Sequence, residues 1–340
     1  MSDAKYPDYI QVLLDPAAYP HPVDAVELVQ THISFVLLAG EFVYKFKKEV
    51  NFGFLDFSTL EKRKKCCEQE LLLNRRLCPD IYLGLVRVTS SGNGLELDGD
   101  GETVEYGVRM VRMPEERMMS RVIERGELTR DHIFSLVDVL APFYDRAERN
   151  AEIDRYGTAE SVAVNVLENF DQTRDFIGGG VLSQEQFDRI SSYARSFLAR
   201  EELFAARIEQ GRIRDCHGDL YSANICLADK VYIYDCIEFN RRFRYCDVAS
   251  DVAFLAMDLD FHELHDLSTL FIEQFCSQSG DDSLPRMLNF YTCYRAYVRG
   301  KIGLFTASDP AVDEAVKMKN LEMARRYFVL ADHYAGQANG

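Results

Sequence analysis

One polar segment of the chain, RDCHGDLYSANICLADKVYIYDCIEF, holds residues whose types and spacing could support catalysis. His217 and Asp219 are followed by Asn224, and Asp235 lies on the next apolar stretch. An aspartate can accept or orient the proton of an attacking hydroxyl, and asparagine and aspartate oxygens are ligands suited to Mg²⁺. A short loop followed by a hairpin would direct these side chains into one cleft. The order and spacing therefore match the floor of a phosphoryl-transfer site, whereas a polar surface hairpin is the simpler alternative.

Antiparallel strands are expected in the N-terminal part of the chain. Runs of β-branched and aromatic residues predict strands at about Val26–Gln30, Ser34–Leu38 and Phe42–Phe46. A helix follows, because Ser58 and Glu61 form a capping-box pattern and apolar residues then recur at helical spacing. These elements would precede the polar segment by well over a hundred residues.

Further strand signals occur on either side of a long helical region. The sequence SGNG at 91–94 predicts a hairpin turn, and Gly107–Met113 reads as a strand that a proline ends. Within the polar segment, short strands are expected at Asn224–Leu227 and Lys230–Asp235. The candidate residues therefore lie on a loop and on the hairpin that follows it.

The remainder of the chain shows helical periodicity. Helices are expected at about Thr129–Asn150, Ala159–Phe176 and Ser183–Arg207, and again towards the C-terminus. A β-rich first third with one helix, followed by a mostly helical part, predicts an α+β fold. The change of pattern predicts two domains, an N-terminal lobe at 1–113 and a helical lobe at 114–340.

Composition and charge restrict the partners of the protein. The 340 residues include 39 basic and 55 acidic ones, which gives a formal net charge of −16. This charge argues against nucleic acid or an anionic membrane as a main partner, although it does not describe any single cleft. Neither a spanning apolar run nor a signal-peptide pattern is present, and the nine cysteines form no C-x-x-C pair. We therefore expect a cytoplasmic protein with reduced thiols, whose oligomeric state the sequence does not encode.

The polar segment resembles a known family. HGDLYSAN followed by IYDCIEF resembles the motif H-G-D-x-x-x-x-N then I-D-x-x-E of the aminoglycoside phosphotransferase and choline kinase-like family. The loop also resembles that of protein kinases, with Gly218 in place of arginine. Segments from Thr31 to Asp260 resemble the bacterial branch of the family that is often fused to a P-loop ATPase domain. Because no G-x-x-x-x-G-K-[ST] occurs, we expect a stand-alone version.

The resemblance implies a bilobal protein kinase-like fold, with an antiparallel sheet and one helix in the N-lobe and a mostly helical C-lobe. It implies ATP and Mg²⁺ as cofactors. Carried over residue by residue, Asp219 is the catalytic base, and Asn224 and Asp235 are the magnesium ligands. Asp251, in the matching segment RYCDVASDVAFL, resembles the aspartate at a helix start that braces the catalytic loop. His217 is the motif histidine, for which a structural role is the simpler interpretation.

A lysine and a glutamate in the first third complete the implied site. Lys45 resembles the lysine that contacts the nucleotide phosphates, and Glu70 resembles its ion-pair partner, with Glu68 as the alternative. A carboxylate would fix the flexible ammonium against the phosphates. Strand alternation places Lys45 and Lys47 on one face and Lys48 on the other, so an error of one residue in the strand would change the choice.

The resemblance also implies contacts to the rest of the nucleotide. No G-x-G-x-x-G loop occurs, and Thr31 and Ser34 in the turn between the first strands are candidate phosphate contacts. The end of the strand Gly107–Met113 resembles the interlobe hinge, whose backbone at Val111 and Met113 would bind the adenine ring. Glu238 could orient Asp235, contact the substrate or be a simple loop carboxylate.

These residues predict an ATP- and Mg²⁺-dependent kinase that phosphorylates a hydroxyl of a small molecule. The alternative from another class is a nucleotide-binding pseudokinase that regulates a partner, against which the intact Asp219, Asn224 and Asp235 argue. A protein kinase is a third hypothesis, although no A-P-E segment follows Asp235. The motif describes ATP chemistry, so the acceptor remains open.

Overall fold

A computed structural model describes residues 6–53, 55–92, 94–310 and 312–337. Up to residue 118 the elements are α1 Asp8–Leu13, β1 Val26–Gln30, β2 Ser34–Ala39, β3 Phe42–Lys47, α2 Leu60–Asn74, β4 Tyr82–Ser91, β5 Gly94–Leu97 and β6 Glu102–Val111. The central elements are α3 Met119–Glu124, α4 Arg130–Arg146, α5 Ala151–Asp154, α6 Ala159–Thr173, α7 Gln184–Leu198, α8 Glu201–Glu209, β7 Ile213–Asp215, β8 Ile225–Leu227 and β9 Val231–Ile233. The chain ends with α9 Arg241–Arg244, β10 Tyr245–Asp247, α10 Val248–Phe261, α11 His265–Ser279, α12 Pro285–Ser308 and α13 Glu314–Gln337.

The chain forms two compact units. The first unit is Met1–Met118 together with Cys226–Arg241, and the second unit is Met119–Ile225 together with Arg242–Gly340. The sequence placed one boundary near residue 113 and assigned the whole of 114–340 to a single lobe. The structure instead assigns the segment Cys226–Arg241, which carries Asp235, to the unit that contains the β-rich N-terminal part.

The first unit is built on an antiparallel sheet. Within the described residues its strand order is β1-β2-β3-β6-β4-β5. In the β2–β3 pair, Ser34 lies opposite Lys47 and Val36 lies opposite Lys45, so both lysines project from the same face of β3. The predicted hairpin between β4 and β5 is present, with Ser91 paired to Gly94, and Asn93 of the predicted turn lies outside the described residues.

Helix α2 is anchored to this sheet by a buried ion pair. Nε of Arg63 donates to both carboxylate oxygens of Glu105 on β6, each at 2.9 Å, and Nη1 donates to the carbonyl of Phe57. The helix begins one residue later than the capping-box pattern indicated, because Thr59 rather than Ser58 accepts from the first-turn amides. The Ser58 hydroxyl instead donates to Oδ1 of Asp56 at 2.6 Å.

The segment Cys226–Arg241 is fastened to α2 and the sheet by several polar contacts. The Cys78 thiol donates to the carbonyl of Ile233 at 2.9 Å, and the amide of Cys236 donates to Oδ1 of Asn74 at 2.9 Å. Two tyrosines of the segment also pack against the apolar cluster below α2. These contacts explain why a hairpin that is late in sequence belongs to the first unit.

The second unit is mostly helical. Helix α10 is buried on nearly all sides and packs against α11 and α12, while α12 and α13 pair along much of their length. The predicted helix at Ser183–Arg207 is two helices, α7 and α8, with a break at 199–200. The α+β fold class, with an antiparallel sheet and one long helix followed by a mostly helical part, is confirmed. Among the described helices, none combines the length and apolarity needed to cross a bilayer.

Candidate active site

Two lysines and three carboxylates of the first unit form one ionic network, called here the lysine–carboxylate cluster. The Lys45 ammonium lies 2.8 Å from Glu70 Oε1 and 2.5 Å from Asp235 Oδ1. The Lys47 ammonium lies 2.6 Å from Glu70 Oε2 and also contacts Glu238. Glu70 on α2 therefore bridges two lysines of β3, and each lysine reaches a second carboxylate on the segment Cys226–Arg241.

Because the cluster is largely buried, each of its charged groups is stabilised mainly by its oppositely charged neighbours. The side chains of Lys47 and Glu70 are fully buried, and that of Glu238 is nearly so. Burial alone would lower the pKa of Lys45, but the carboxylates of Asp235 and Glu70 outweigh it and hold that pKa well above its ordinary value. Burial would likewise raise the pKa of Glu70, yet the two ammonium groups lower it. Lys45 and Glu70 are therefore both charged at neutral pH.

Asp235 is the member of the cluster that reaches solvent. Its side chain is 43% exposed, whereas that of Lys45 is 13% exposed. Its backbone is left-handed, with φ of 61°, a conformation that is uncommon for a residue with a side chain. The amide of Asp235 donates to the hydroxyl of buried Tyr82 at 3.2 Å, and Asn74 holds the next amide. The surrounding contacts thus impose a backbone conformation that presents one carboxylate at the edge of a buried cluster.

The cluster also decides between the alternatives that the sequence left open. The structure places Glu70 against Lys45, while Glu68 is half-exposed and lies 3.9 Å from Lys64. Lys48 directly follows β3, and its ammonium lies 4.8 Å from the centre of the Phe35 ring. The role of Lys45 at the nucleotide stays a prediction.

Lys47 and Glu238 are the residues whose importance sequence reasoning missed. Glu238 accepts from Lys47 and from the Cys66 thiol, at 3.3 Å from the sulfur, so it is a buried network member rather than a simple loop carboxylate. The sequence signal was available in the lysine alternation on β3, which places Lys47 on the same face as Lys45. It gave no indication that a second carboxylate would meet Lys47.

Thr31 and Ser34 close the turn between β1 and β2. The Thr31 hydroxyl accepts from the amide of Ser34 at 3.0 Å, and the Thr31 amide donates to the Ser34 carbonyl. The Ser34 side chain is fully buried, and its hydroxyl has no hydrogen-bond partner within the described ranges. The Ser34 side chain therefore faces the interior here, and the two residues stay predicted phosphate contacts.

Val111 and Met113 lie at the end of β6. The amide of Val111 donates to the carbonyl of Ile81 at 2.9 Å, and the amide of Arg112 donates to Glu41. Met113 is half-buried and follows the strand, and neither its amide nor its carbonyl makes a backbone hydrogen bond among the described residues. Its two backbone polar groups are thus open to an external donor and acceptor.

In the second unit, the loop that follows β7 carries Asp219 and Asn224. The Asn224 side-chain nitrogen donates to the Asp219 carbonyl at 3.0 Å and to Asp219 Oδ2 at 2.9 Å. Asn224 therefore contacts Asp219 through its side-chain nitrogen and not through its oxygen. The amide of Asp219 lies 3.3 Å from Nδ1 of buried His217, which agrees with a structural role for that histidine.

Buried Asp251, in the first turn of α10, binds the backbone of this loop. Its carboxylate accepts from the amides of His217 and Gly218, at 2.7 Å and 3.0 Å, and from the Tyr144 hydroxyl at 3.1 Å. Arg295 on α12 lies 3.4 Å from the same carboxylate and donates to the Gly218 carbonyl at 3.0 Å. The resemblance indicated Asp251, whereas Arg295 had no local sequence signal.

A second carboxylate on the same face of α10 holds the far end of the loop. Asp258, seven residues after Asp251, accepts from the Ser222 amide at 2.9 Å. Tyr221 stacks on Phe254, with ring centres 5.4 Å apart, and the Arg299 guanidinium lies 4.6 Å from the Tyr221 ring. The loop of the predicted base is thus fixed at both ends by α10.

The two-unit architecture is that of the protein kinase-like fold, as comparison with solved structures shows. The chain is similar to a choline/ethanolamine kinase family protein from Mesorhizobium loti, with a TM-score of 0.53, 11% identity and coverage of 96% of this chain and 98% of that one. It is similar to a glucosamine kinase bound to glucosamine, ADP and inorganic phosphate, with a TM-score of 0.52, 14% identity and coverage of 98% and 82%. An amicoumacin kinase bound to AMP-PNP and Ca²⁺ gives a TM-score of 0.53 at 12% identity, over 96% and 94% of the two chains.

Closer relatives are found by sequence. Uncharacterised proteins of Mycobacterium tuberculosis and Mycobacterium bovis are 36% identical to this chain over 287 residues, which is 83% of its length. The aligned region covers 56% of those proteins, so the chain spans about half the length of the curated relatives that it matches. No family model matches the chain.

Proposed function

We propose that this protein is an ATP- and Mg²⁺-dependent phosphotransferase of the aminoglycoside phosphotransferase and choline kinase-like family, acting on a hydroxyl of a small molecule. The observation that carries the proposal is Asp235, a half-exposed carboxylate held in a left-handed conformation beside the buried Lys45–Glu70 pair. Such strain in a charged residue is typical of functional sites. The fold is shared with kinases whose structures contain ADP or AMP-PNP.

Asp219 is the proposed catalytic base. It accepts the proton of the acceptor hydroxyl while the oxygen of that hydroxyl bonds to the γ-phosphorus of ATP. The bond between this phosphorus and the β–γ bridging oxygen breaks, ADP leaves, and the proton passes from Asp219 to solvent. Asp251 and Arg295 keep the loop backbone fixed, and Asn224 donates to Asp219 Oδ2, which restricts rotation of the carboxylate.

Lys45 is proposed to contact the nucleotide phosphates. Its ammonium already lies between two carboxylates, and Glu70 holds it at a defined position on the sheet. Transfer of the phosphoryl group spreads negative charge over its oxygens, and a fixed cation stabilises that charge without reorganising. Lys47 and Glu238 would not contact the nucleotide themselves. They would hold Glu70 in position, because Lys47 contacts both carboxylates.

Asn224 and Asp235 have the donor chemistry of magnesium ligands. The contact of Asn224 with Asp219 uses its nitrogen and not its oxygen, and the Asp235 carboxylate is accessible to solvent. Hard oxygen donors of this kind suit Mg²⁺, which prefers few carboxylates together with phosphate oxygens and water. The bound ion would neutralise charge on the nucleotide phosphates. This role requires the Lys45–Asp235 contact to be shared with or replaced by the ion.

The remaining nucleotide contacts are proposed for two segments, the end of β6 and the turn between β1 and β2. The backbone amide and carbonyl of Met113, two residues after Val111, are proposed to bind the edge of the adenine ring. The turn closed by Thr31 and Ser34 is proposed to lie over the phosphates. Because the Ser34 hydroxyl is buried, a contact through backbone amides suits this turn better than one through that side chain.

The chain is also proposed to belong to the branch of the family that is often fused to a P-loop ATPase domain. The aligned relatives extend well beyond the matched region, which covers 56% of their length. That additional length could accommodate such a domain. The substrates and partners of the relatives as whole proteins are not carried over to this chain.

A screen of hydroxyl-bearing metabolites tests the proposal. The protein is incubated with ATP, Mg²⁺ and single metabolites, and ATP consumption and phosphorylated products are measured, with Asp219→Asn as the matched control. We expect product with at least one metabolite class and none with the variant. Nucleotide binding without turnover on any acceptor would favour a pseudokinase, and labelling of proteins alone would favour a protein kinase.

A further inference from the structure

A group of polar side chains in the second unit is not used by the proposed chemistry. Asn165, Glu168 and Gln172 lie three and four residues apart on α6, so they share one face of that helix. Arg242 on α9 and Lys301 on α12 meet this face. These residues are called the α6–α12 polar cluster.

The contacts within the cluster leave its charges unbalanced. Nη2 of Arg242 lies 2.7 Å from Glu168 Oε2, and the Asn165 side-chain nitrogen donates to the Arg242 carbonyl at 3.1 Å. The Lys301 ammonium donates to Oε1 of Gln172 at 2.9 Å. The three charged residues of the cluster therefore sum to a formal charge of +1, in a chain of net charge −16.

Lys301 is the cation without an anionic partner. Among the described residues, no carboxylate lies within ion-pair distance of its ammonium, and the Gln172 oxygen is neutral. The pKa of Lys301 is lowered to about 8, because burial and the nearby Arg242 charge together outweigh the opposing effect of Glu168. A half-buried ammonium in this position is costly unless an anion binds to it.

Asn165 adds a second unsatisfied group. Its side-chain oxygen is buried and has no hydrogen-bond partner within the described residues. Buried polar atoms are normally paired, and an unpaired one costs free energy that a ligand or water can recover. The cluster therefore offers both a donor and an acceptor that lack adequate partners.

Tyr294 on α12 links the cluster electrostatically to the arginine that supports the catalytic loop. Arg295, which donates to the Gly218 carbonyl, has its guanidinium 5.5 Å from the Tyr294 ring. Burial raises the pKa of the Tyr294 phenol, and the charges of Arg295, Arg242 and Glu168 all act on it. Tyr294 is thus within electrostatic reach both of the arginine that holds the Asp219 loop and of the cluster.

We infer that the α6–α12 polar cluster is a subsite for an acidic group, a carboxylate or a phosphate, of the acceptor molecule. This inference rests on the proposed phosphotransferase function and adds the class of acceptor to it. Lys301 supplies the unpaired cation, and Arg242 supplies a planar donor group that suits such anions. Glu168, which could have selected a cationic acceptor, is already occupied by Arg242.

Binding is tested without nucleotide or metal, so that it does not depend on turnover. The lysines are labelled by reductive ¹³C-methylation, and the Lys301 signal is assigned from its absence in Lys301→Met. Matched three-carbon alcohols of different charge are then titrated: 3-hydroxypropanoate, propane-1,3-diol and 3-aminopropan-1-ol. Glycerol 3-phosphate, compared with glycerol, separates a phosphate preference from a carboxylate preference.

The expected result is a saturable shift of the Lys301 signal, with a raised Lys301 pKa, for an anionic alcohol and not for the neutral or cationic ones. In the unlabelled protein, Lys301→Met should weaken anion binding roughly tenfold or more, because a charged hydrogen bond is lost. Lys301→Arg should retain most of it, and Lys319→Met, at an exposed site on α13, should change it less than about twofold. Glu168→Gln should strengthen anion binding by about two- to fivefold, since it removes the competing carboxylate.

The opposite pattern overturns the inference. An acidic-group subsite would be excluded if the Lys301 signal did not shift with 3-hydroxypropanoate or glycerol 3-phosphate. It would also be excluded if the signal shifted equally with 3-aminopropan-1-ol. In the turnover assay, acceptors confined to cationic or neutral molecules would exclude it while leaving the phosphotransferase proposal intact. Selective anion binding at Lys301 in a protein that phosphorylates nothing would instead uphold the subsite and reject the proposed function.

Discussion

In the first unit, the charged side chains of the candidate site hold one another, whereas in the second unit buried charges hold the backbone of the loop that carries Asp219. Lys45 and Lys47 have carboxylates as their partners, and these carboxylates are themselves candidate functional groups. Asp251 and Arg295 instead contact the amides and carbonyl around Gly218. A substitution in the first unit should therefore change both charge and binding, while one beneath the loop should act mainly through its geometry and through stability.

The largest effect is expected from Asp251→Ala. The change leaves the Arg295 guanidinium without its carboxylate and the His217 and Gly218 amides without their acceptor, all of them buried. Loss of one partner of a buried ion pair costs about 3–5 kcal/mol. The free energy of unfolding, measured by urea titration, should fall by that amount.

Asp138→Ala, at an exposed position on α4, is the control and should change the free energy of unfolding by less than about 0.5 kcal/mol. Equal and small losses for the two variants would mean that Asp251 does not brace the loop.

The second-largest loss of stability is expected from Glu70→Gln. It keeps the shape of the side chain but leaves Lys45 and Lys47 with one carboxylate each, which should cost about 3 kcal/mol of unfolding free energy. Glu68→Gln, on the same helix but half-exposed, should cost less than about 0.5 kcal/mol. Similar values for the two glutamates would contradict the bridging role of Glu70.

The pH dependence of the free energy of unfolding gives a second test of the role of Glu70. The pKa of Glu70 is lower in the folded state than its ordinary value of 4.5. Its contribution is therefore complete above the pKa of the unfolded state and is lost as the pH falls through the folded-state pKa. The wild-type protein should lose stability over this acidic range more steeply than Glu70→Gln.

Asp235→Ala should remove Mg²⁺-dependent nucleotide binding from a protein that stays folded. We expect an affinity for ATP with Mg²⁺ about 100-fold weaker, since a metal ligand is lost. Titration calorimetry with and without EDTA measures this difference, and Asp229→Ala, at an exposed position in the same hairpin, is the control. Unchanged affinity in Asp235→Ala would reject the metal assignment.

The smallest effect is expected for Lys45 of β3, compared with Lys48, which directly follows that strand. Lys45→Ala should raise the KM for ATP about tenfold, because a charged contact to the phosphates is lost. Lys48→Ala should leave it nearly unchanged, since Lys48 faces the Phe35 ring on the opposite side of β3. The reverse order would show that the nucleotide lies on the other face of the strand.

The sequence was most informative where the candidate residues lie close together along the chain. Asp219, Asn224 and Asp235 occur within one short segment, so their spacing alone indicated phosphoryl transfer. The strands at 26–47 were also predictable to within a residue, because β-branched residues and turn signals are local. Lys45 and Glu70 came only from the family resemblance, since they meet through the packing of α2 on the sheet.

The parts of the fold and of the candidate site that could not be predicted depend on contacts between residues that are distant in sequence. The partners Lys47 and Glu238 are 191 residues apart, and Arg295 is 77 residues from the Gly218 carbonyl. No periodicity links such positions. The place of the Asp235 hairpin in the first unit depends on Asn74 and Tyr82, which hold its backbone and belong to α2 and β4. A boundary drawn from a change of pattern at residue 113 could not include it.

The central claim is that Asp219 acts as the base of a phosphoryl transfer from bound ATP. It is tested most directly by measuring nucleotide affinity and single-turnover product formation in parallel, for the wild-type protein and Asp219→Asn with the acceptor found in the screen. We predict that the two proteins bind ATP with Mg²⁺ equally well and that the variant forms product at least about 100-fold more slowly. Equal rates in the two proteins would contradict the claim.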